Sequence, residues 1–388
     1  MASRRDTVPF AGFYAALFFA LGVFLPFWPV FLQHKGLDGA AIGTILGLGT
    51  WAKAAGNPLL GRLADRSARP RRVVVGLAGV ALAGTFAFPY LSGFWPLLAA
   101  YVVVFSAFQA LIPIGDSRTL TVAADKGLDY GRLRLWGSAA FLAAVLGMGE
   151  ALDRWPASVI PWALAAAFAA LVGLAASLPA PAPQTSARSS RGFRTLIGDP
   201  TFIIFLATVA LLQASHAVYY AFSAVHWTDS GLSAATVGWL WAEGVIAEIG
   251  LFFVGARVVA RIGPIGLLAA AAVGGMVRWT VLSGTTALPA LAAVQGFHAL
   301  TFGAAHLGAM YFISRHAPRD LQATAQGISA AATGGVGMGL AMLGAGPLYD
   351  AVAGRAFLAM AAMSLTALVL SWLLVRRGSP AASDAPGE

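Results

Sequence analysis

A set of ionisable residues stands inside long apolar runs: Lys53, Asp116, Arg134, His216, Glu243, Glu248, Arg278, His298 and His306. A charge at the centre of a membrane helix costs about 2.5–3.5 kcal/mol on insertion scales. Such groups are therefore expected to face one another or a polar cavity. Asp116 follows Pro113 late in one run, and Arg134 lies early in the next. A guanidinium fork holds a carboxylate through two parallel N–H···O bonds, which suits either Asp116 or an anionic ligand. Burial alters the proton affinity of a carboxyl or an ammonium, so Glu243, Glu248 and Lys53 are candidates for taking up and releasing protons. Gln109, Gln213, Gln295 and Asn57 add uncharged hydrogen-bonding groups to the same runs. Tyr219 and Tyr220 could pack on an aromatic ligand. Lone membrane histidines such as His216 and His306 more commonly serve packing and hydrogen bonding between helices.

Other chemistries lack their residues. There is no cysteine, which excludes disulfides, thiol catalysis and Cys-based metal sites. No His/Asp/Glu cluster has metal-ligand spacing, and no Walker or Rossmann glycine pattern occurs in a suitable context. No nucleophile–base pair suggests an enzyme. The expectation is a protein without cofactor or metal.

The elements that carry these residues follow from solvent. Of 388 residues, 59% are hydrophobic and 11% charged, against about 25% charged in a soluble domain. Runs of about 20 apolar residues recur, each long enough to span a bilayer as a helix. They are continuous rather than alternating, so helices are expected and a barrel is not. The spans fall near 10–32, 40–62, 72–91, 95–117, 133–151 and 157–178, then near 201–226, 234–256, 263–282, 287–313, 323–347 and 355–375. The first is too long, and has too many spans after it, for a cleaved signal peptide. The fold class is an all-α membrane protein: residues 1–178 form an N-terminal six-helix bundle and 201–378 a C-terminal one. Between them, 179–200 is a Pro/Ala/Ser/Arg-containing linker, and 379–388 is a small, polar tail expected to be disordered.

Charge sets orientation. Lys and Arg cluster at the N-terminus, in alternate loops, in the linker and at Arg376 and Arg377, while only Lys35, Arg154 and Arg355 occupy the opposite loops. The positive-inside rule places both termini and the linker in the cytoplasm. The net charge of +9 is thus a topology signal, and no nucleic-acid partner is expected. An internal repeat supports two related halves. Gly36-Leu37-Asp38-Gly39-Ala40-Ala41-Ile42-Gly43 opens the second span, and Gly231-Leu232-Ser233-Ala234-Ala235-Thr236-Val237-Gly238 opens the eighth. Counting ten residues on from Gly43 and Gly238 reaches Lys53 and Glu248, which therefore occupy equivalent places. They suggest a switchable pair or a permanent lock, with Glu248 as proton carrier and Asp116 as the next candidate.

The loop Gly61-Arg62-Leu63-Ala64-Asp65-Arg66, followed by Arg71 and Arg72, resembles the signature loop of the major facilitator superfamily. There it gates the cytoplasmic side; Gly61 would permit close helix contact and the arginines would bond Asp65. Gly255 to Gly263 resembles a degenerate second copy, with Val259 where the acid would sit. Tyr130-Gly131-Arg132-Leu133-Arg134-Leu135-Trp136-Gly137-Ser138 and Ala323-Thr324-Ala325-Gln326-Gly327 are similar to the phenylpropionate-permease branch, which is related to the lactose permease.

This resemblance implies a twelve-helix transporter in the bacterial inner membrane that works as a monomer by alternating access. It implies proton-coupled uptake of a small aromatic monocarboxylate such as 3-phenylpropionate. Carried over by the shared Gly-Arg-x-Arg run, Asp116 and Arg134 match an acid and an arginine that bind substrate as a pair in the lactose permease. Arg278 and His298 match its coupling arginine and histidine. The acid one turn beyond that histidine is replaced by Thr301, so the coupling scheme does not transfer unchanged, and Glu248 or Glu243 would substitute. Substrate binding is thus assigned to Asp116, Arg134, Lys53, Tyr219, Tyr220 and Gln109. Coupling is assigned to Glu248, Glu243, Arg278 and His298, and gating to Gly61, Asp65 and Arg66. A sugar or nucleoside symporter and a drug or metabolite exporter of the same fold remain alternatives.

Overall fold

The computed structural model describes residues 4–67, 69–126, 128–178 and 191–377. The expected linker core and C-terminal tail lie outside the described residues. Among those described, the chain is helical throughout: α1 (Arg4–His34), α2 (Gly39–Arg66), α3 (Pro70–Thr85), α4 (Phe94–Lys126), α5 (Tyr130–Leu152) and α6 (Val159–Ser177). A short α7 (Arg191–Ile197) leads into α8 (Pro200–Ala214), α9 (Ala217–Asp229) and α10 (Ala234–Gly284). Then come α11 (Leu288–Gln295), α12 (Ala305–His316), α13 (Gln322–Ala330), α14 (Met338–Val352) and α15 (Phe357–Arg377). Among the described residues, eight helical stretches are long and apolar enough to cross a membrane. The helices coincide with the expected spans once α8–α9, α11–α12 and α13–α14 are each taken as one interrupted pass. A break at Gly263 (φ 69°), followed by Pro264, divides α10 into two passes.

Local chemistry explains the ends. Asp38 Oδ1 accepts from Ala41 N at 2.8 Å and caps α2, and Asp129 Oδ1 accepts from Arg132 N at 3.2 Å and caps α5. The internal repeat is a repeat of turns. Gly36 and Gly231 both take left-handed φ, 81° and 93°. The next residues, Leu37 and Leu232, donate to carbonyls five positions back, at Leu32 and Trp227, which is the Schellman ending of a helix. Ser233 then caps α10 through Thr236 N at 3.1 Å, as Asp38 caps α2.

Contacts divide the chain into two compact units: Met1–Ser186 with Ala221–Ala242, and Ala187–Tyr220 with Glu243–Glu388. In the first, α1 packs on α5 and α6, and α2 and α3 pack on α4. The close approach of α1 to α5 needs glycine: a Cβ at Gly22 would meet the Phe141 carbonyl oxygen at 2.7 Å. Phe24, Trp28, Tyr101 and Phe105 stack in the core, with Phe24 and Trp28 5.0 Å apart and nearly parallel at 6°.

The segment 221–242 is fastened to this unit at several points. Asp153, at the end of α5, accepts from Ala234 N at 2.7 Å and Ala235 N at 3.2 Å. Gln33 Nε2 donates to Asp229 at 3.0 Å. Added Cβ atoms at Gly149 and Gly238 would lie 2.6 Å from Ala234 O and 2.5 Å from Val145 O.

In the second unit, α8 packs on α15 and on a π-helical stretch, Ala331–Gly337. A second π stretch, Ala299–Ala304, separates α11 from α12. At its base, Asp199 caps α8 through Thr201 N at 2.8 Å and also bonds His316. Burial opposes the Asp199 charge, but His316 and the backbone N–H groups of Thr201 and Phe202 outweigh it and hold the carboxyl below its ordinary value.

Candidate functional site

The second unit encloses a fully buried cation. Arg278 lies in the later pass of α10 with no exposed surface. Its guanidinium donates to Gln295 Oε1 at 2.7 Å, to Thr301 Oγ1 at 3.0 Å and to His298 Nδ1 at 3.1 Å. The rings of Tyr219 and Trp279 lie 4.5 and 4.7 Å from its central carbon. Gln295 in turn donates to the Tyr219 hydroxyl at 3.1 Å. Its two terminal nitrogens bond neutral acceptors rather than a carboxylate, which offsets part of the cost of burying the charge, while Nε has no hydrogen-bond partner among the described residues.

These bonds fix proton positions. Arginine only donates, so His298 Nδ1 is an acceptor and the neutral ring carries its hydrogen on Nε2. That nitrogen lies 3.5 Å from Glu248 Oε2. The Leu212 carbonyl can only accept, so His216 Nδ1 donates to it at 3.0 Å. Nε2 of the neutral ring is then an acceptor, and the Thr301 hydroxyl, 3.2 Å away, donates to it. Every hydrogen bond in the chain from Arg278 through Thr301 to Leu212 runs in one direction. A fully buried histidine is used here as a neutral spacer.

The structure thus gathers Glu248, His298 and Arg278, together with Tyr219, into one network. Tyr219 is buried and cages the guanidinium. Tyr220 is half-buried beside it, with ring centroids 5.7 Å apart. Glu243 is half-buried and close enough to act on Tyr219 electrostatically, with no hydrogen-bond or ion-pair partner among the described residues. Gln295, Thr301 and His216 complete the network. Their membership depends on contacts between distant helices; the sequence marked Gln295 and His216 only as polar residues in apolar runs and Thr301 only as the residue in place of an acid.

The first unit holds the other group. Asp116 Oδ1 accepts from the Tyr14 hydroxyl at 2.7 Å and the Tyr130 hydroxyl at 3.0 Å. Arg134 forms no ion pair with it. Its guanidinium lies 3.7 Å over the Phe18 ring and 5.6 Å from the Tyr14 ring, without a carboxylate or hydrogen-bond acceptor among the described residues. The expected pair is therefore two neighbours with separate partners. Two phenols satisfy the carboxylate, and two π faces hold the cation. Tyr14 and Phe18 sit one turn apart on α1, far from Arg134 in sequence, so no local pattern announced them. Lys53 is half-buried, 5.9 Å from the Phe105 ring centroid, and lacks an anionic partner among the described residues. Gln109 is half-buried on α4 and makes no side-chain hydrogen bond among the described residues.

The MFS_1 like family matches residues 8–359. The chain belongs to this family of transporters. It is 34% identical to the "Probable 3-phenylpropionic acid transporter" of Escherichia coli (strain K12), over 92% of this chain and 95% of the relative. It is 30% identical to the maltose permease of Geobacillus stearothermophilus, over 99% and 98%. Its fold matches the crystal structure of the nucleoside transporter NupG with a TM-score of 0.85 at 16% identity, covering 96% and 99%. A bacterial homologue of the human lysosomal transporter Spinster matches with 0.75 at 14%, covering 98% and 100%. This member of the MFS_1 like family is a multi-pass integral membrane transporter, not an enzyme, and the resemblance read in its motifs is borne out.

The gating-loop residues lie at the end of α2. Asp65 and Arg66 are exposed, and a Cβ at Gly61 would meet nothing within 4 Å. Close packing does not require glycine at 61 in this conformation. Asp65 makes no ion pair with the loop arginines among the described residues. Arg118 of α4, within electrostatic reach of Asp65, is buried with both terminal guanidinium nitrogens unpartnered. The loop arginines point their charge into solvent instead, where hydration serves them as well as a carboxylate would.

Proposed function

We propose that this transporter carries a small aromatic monocarboxylate inward with protons, with 3-phenylpropionate as the reference substrate. The observation that carries the reading is Arg134: a guanidinium seated on two aromatic faces, with its hydrogen-bond donors uncommitted to any carboxylate. A substrate carboxylate can take the fork, and the flanking rings suit an aryl group. Asp116, already holding two phenol hydrogens, keeps Tyr14 and Tyr130 oriented around that cation.

For coupling, Glu248 is the proton carrier. Arg278 fixes His298 as a donor toward Glu248, so an ionised Glu248 is held and a protonated one is released. Glu243 stands one side of the same helix as a second acceptor. The chain would work as a monomer in a bacterial inner membrane with both termini cytoplasmic, in line with its basic loops.

The test is uptake of labelled 3-phenylpropionate by expressing cells, with and without an uncoupler. Uncoupler-sensitive accumulation that disappears in Arg134→Ala supports the reading; no accumulation over empty-vector cells rejects the substrate. Glu248→Gln is expected to retain counterflow exchange and lose uphill uptake; loss of both would remove Glu248 as the specific carrier. The 30% identity to a maltose permease over nearly the whole chain favours sugar uptake as the second reading, for which labelled maltose is the parallel substrate.

A further inference from the structure

Glycines of the first unit differ in what a side chain there would meet. At Gly22 and Gly149 an added Cβ would strike backbone, the Phe141 carbonyl oxygen at 2.7 Å and the Ala234 carbonyl oxygen at 2.6 Å. Those two glycines serve close packing. At Gly147 it would meet nothing within 4 Å. Gly137 of α5 belongs to neither kind. It is buried, and a Cβ there would lie 2.9 Å from Phe18 Cδ2, 3.1 Å from Phe18 Cγ and 3.1 Å from Arg134 Nη1. The atoms in its way are the cation proposed to take the substrate carboxylate and the ring that cation sits on, 3.7 Å from the ring centroid. Residues three apart share a face of a helix. The Arg134 guanidinium therefore folds along its own helix into space that glycine leaves empty. Phe18 has little room to retreat: it is buried, and its Cγ moves only through χ1, which has few staggered wells.

We infer that Gly137 is a positioning residue for anion selectivity: its missing Cβ lets Phe18 seat the Arg134 guanidinium and so keeps the fork from turning to Asp116. The inference deepens the proposed function and rests on its assignment of a substrate carboxylate to Arg134. Asp116 is the competing anion. Tyr130 bonds Asp116 at 3.0 Å and lies within electrostatic reach of both Asp116 and Arg134, so carboxylate and guanidinium border one phenol. A guanidinium pushed off its π seat has that carboxylate to turn to, since an unpaired charge in a half-buried place is costly. The resulting pair occupies the fork and shuts the site to a second carboxylate, while a neutral ligand loses little. Glycine at 137 thus keeps two neighbouring opposite charges from neutralising each other.

Gly137→Ala is compared with the parent and with Gly147→Ala, the control on the same helix. Isothermal titration calorimetry on the purified full-length protein in detergent reads the binding of 3-phenylpropionate and of its neutral amide, 3-phenylpropionamide. Gly137→Ala should weaken the acid by about tenfold or more, the scale of a lost charge-assisted hydrogen bond, and the amide by less than about threefold. Gly147→Ala should change neither. Reaction of Arg134 with phenylglyoxal, followed by mass spectrometry, needs no substrate. It should slow by at least about threefold in Gly137→Ala, because a carboxylate-paired fork is shielded. Asp116→Asn added to Gly137→Ala should restore the rate, which it would not do for general packing damage. Phe18→Leu removes the seat without adding volume and should give the same selective loss of the acid, which keeps the test open if Gly137→Ala does not fold. Equal losses for acid and amide, an unchanged Arg134 reaction rate in folded Gly137→Ala, no recovery in the double variant, or full acid selectivity in Phe18→Leu each overturns the seat. If the parent binds no acid but the Arg134 reaction slows and recovers as stated, the substrate assignment fails and the seat stands. If parent and Gly137→Ala bind the acid alike, the seat fails and the substrate assignment stands.

Discussion

Removing the carboxylate of Asp153 should loosen the segment 221–242 from the first unit by a measurable amount. Asp153 bonds two backbone N–H groups at the first turn of α10, at 2.7 and 3.2 Å. Loss of a side-chain N-cap costs about 0.5–2 kcal/mol, and the lost anion at a helix N-terminus adds about 0.3–1 kcal/mol. Ser233 already caps the same helix, so the helix survives and the net loss falls near 1–2 kcal/mol. That corresponds to about a 5- to 30-fold rise in the population with the segment detached.

Because the chain has no cysteine, a single thiol placed at Val237 reports this alone. Val237 is fully buried, so Val237→Cys reacts with a maleimide only when the segment lifts. In purified protein, Asp153→Ala should raise the labelling rate about 5- to 30-fold, and Asp153→Asn, which keeps an acceptor oxygen, by less. Circular dichroism confirms that the global fold persists at the labelling temperature. A labelling rate within twofold of the parent in Asp153→Ala would refute the reasoning: the glycine contacts at Gly149 and Gly238 would then hold the segment without the cap.

Other outcomes follow from the same geometry. Thr301→Val orphans the buried His216 Nε2 and should destabilise the protein by about 1–3 kcal/mol, whereas Thr301→Ser should be near neutral; tryptophan-fluorescence melting separates them, and equal midpoints would dissolve the hydrogen-bond chain. Gly22→Ala drives a methyl into the Phe141 carbonyl and should cost about 1–3 kcal/mol, while Gly61→Ala should leave the midpoint unchanged. For pH, Asp199 is held below its ordinary value, so its stabilising contribution is complete above about pH 4 and is lost as pH falls through the folded-state pKa. Acidification below about pH 4 should therefore lower the melting midpoint of the parent more than that of Asp199→Asn; parallel pH profiles would remove this group from the acid response.

The legible parts of the sequence were those governed by solvent and by local backbone chemistry. The apolar runs become the helices nearly where hydropathy placed them, and Gly263 separates two passes at the expected start of the ninth. The short repeat beginning at Gly36 and Gly231 proved to encode one turn twice, because a left-handed glycine and a capping Asp or Ser act within a few residues. The family and its branch were readable from Gly61–Arg66 and Tyr130–Ser138.

Partner choice was not readable. Arg134 and Asp116 were sorted by Tyr14 and Phe18, which approach from another helix, and the neutral caging of Arg278 draws on three passes. The π stretches were hidden as well. Their Ala- and Gly-rich sequences favour no i→i+5 pattern over an α-helix.

Arg278 also has a consequence for how the protein is made. The residues that accept its hydrogen bonds, Gln295, His298 and Thr301, belong to the pass that follows it, and Tyr219 belongs to an earlier one. When the 264–284 segment leaves the ribosome, its charge has no acceptor of its own, and a lone arginine in lipid is costly. Translocation machinery would thus retain this segment until the next one emerges, so that the two enter the bilayer as a hairpin. The charge that organises the finished network would then favour joint insertion of this segment with the one that follows it.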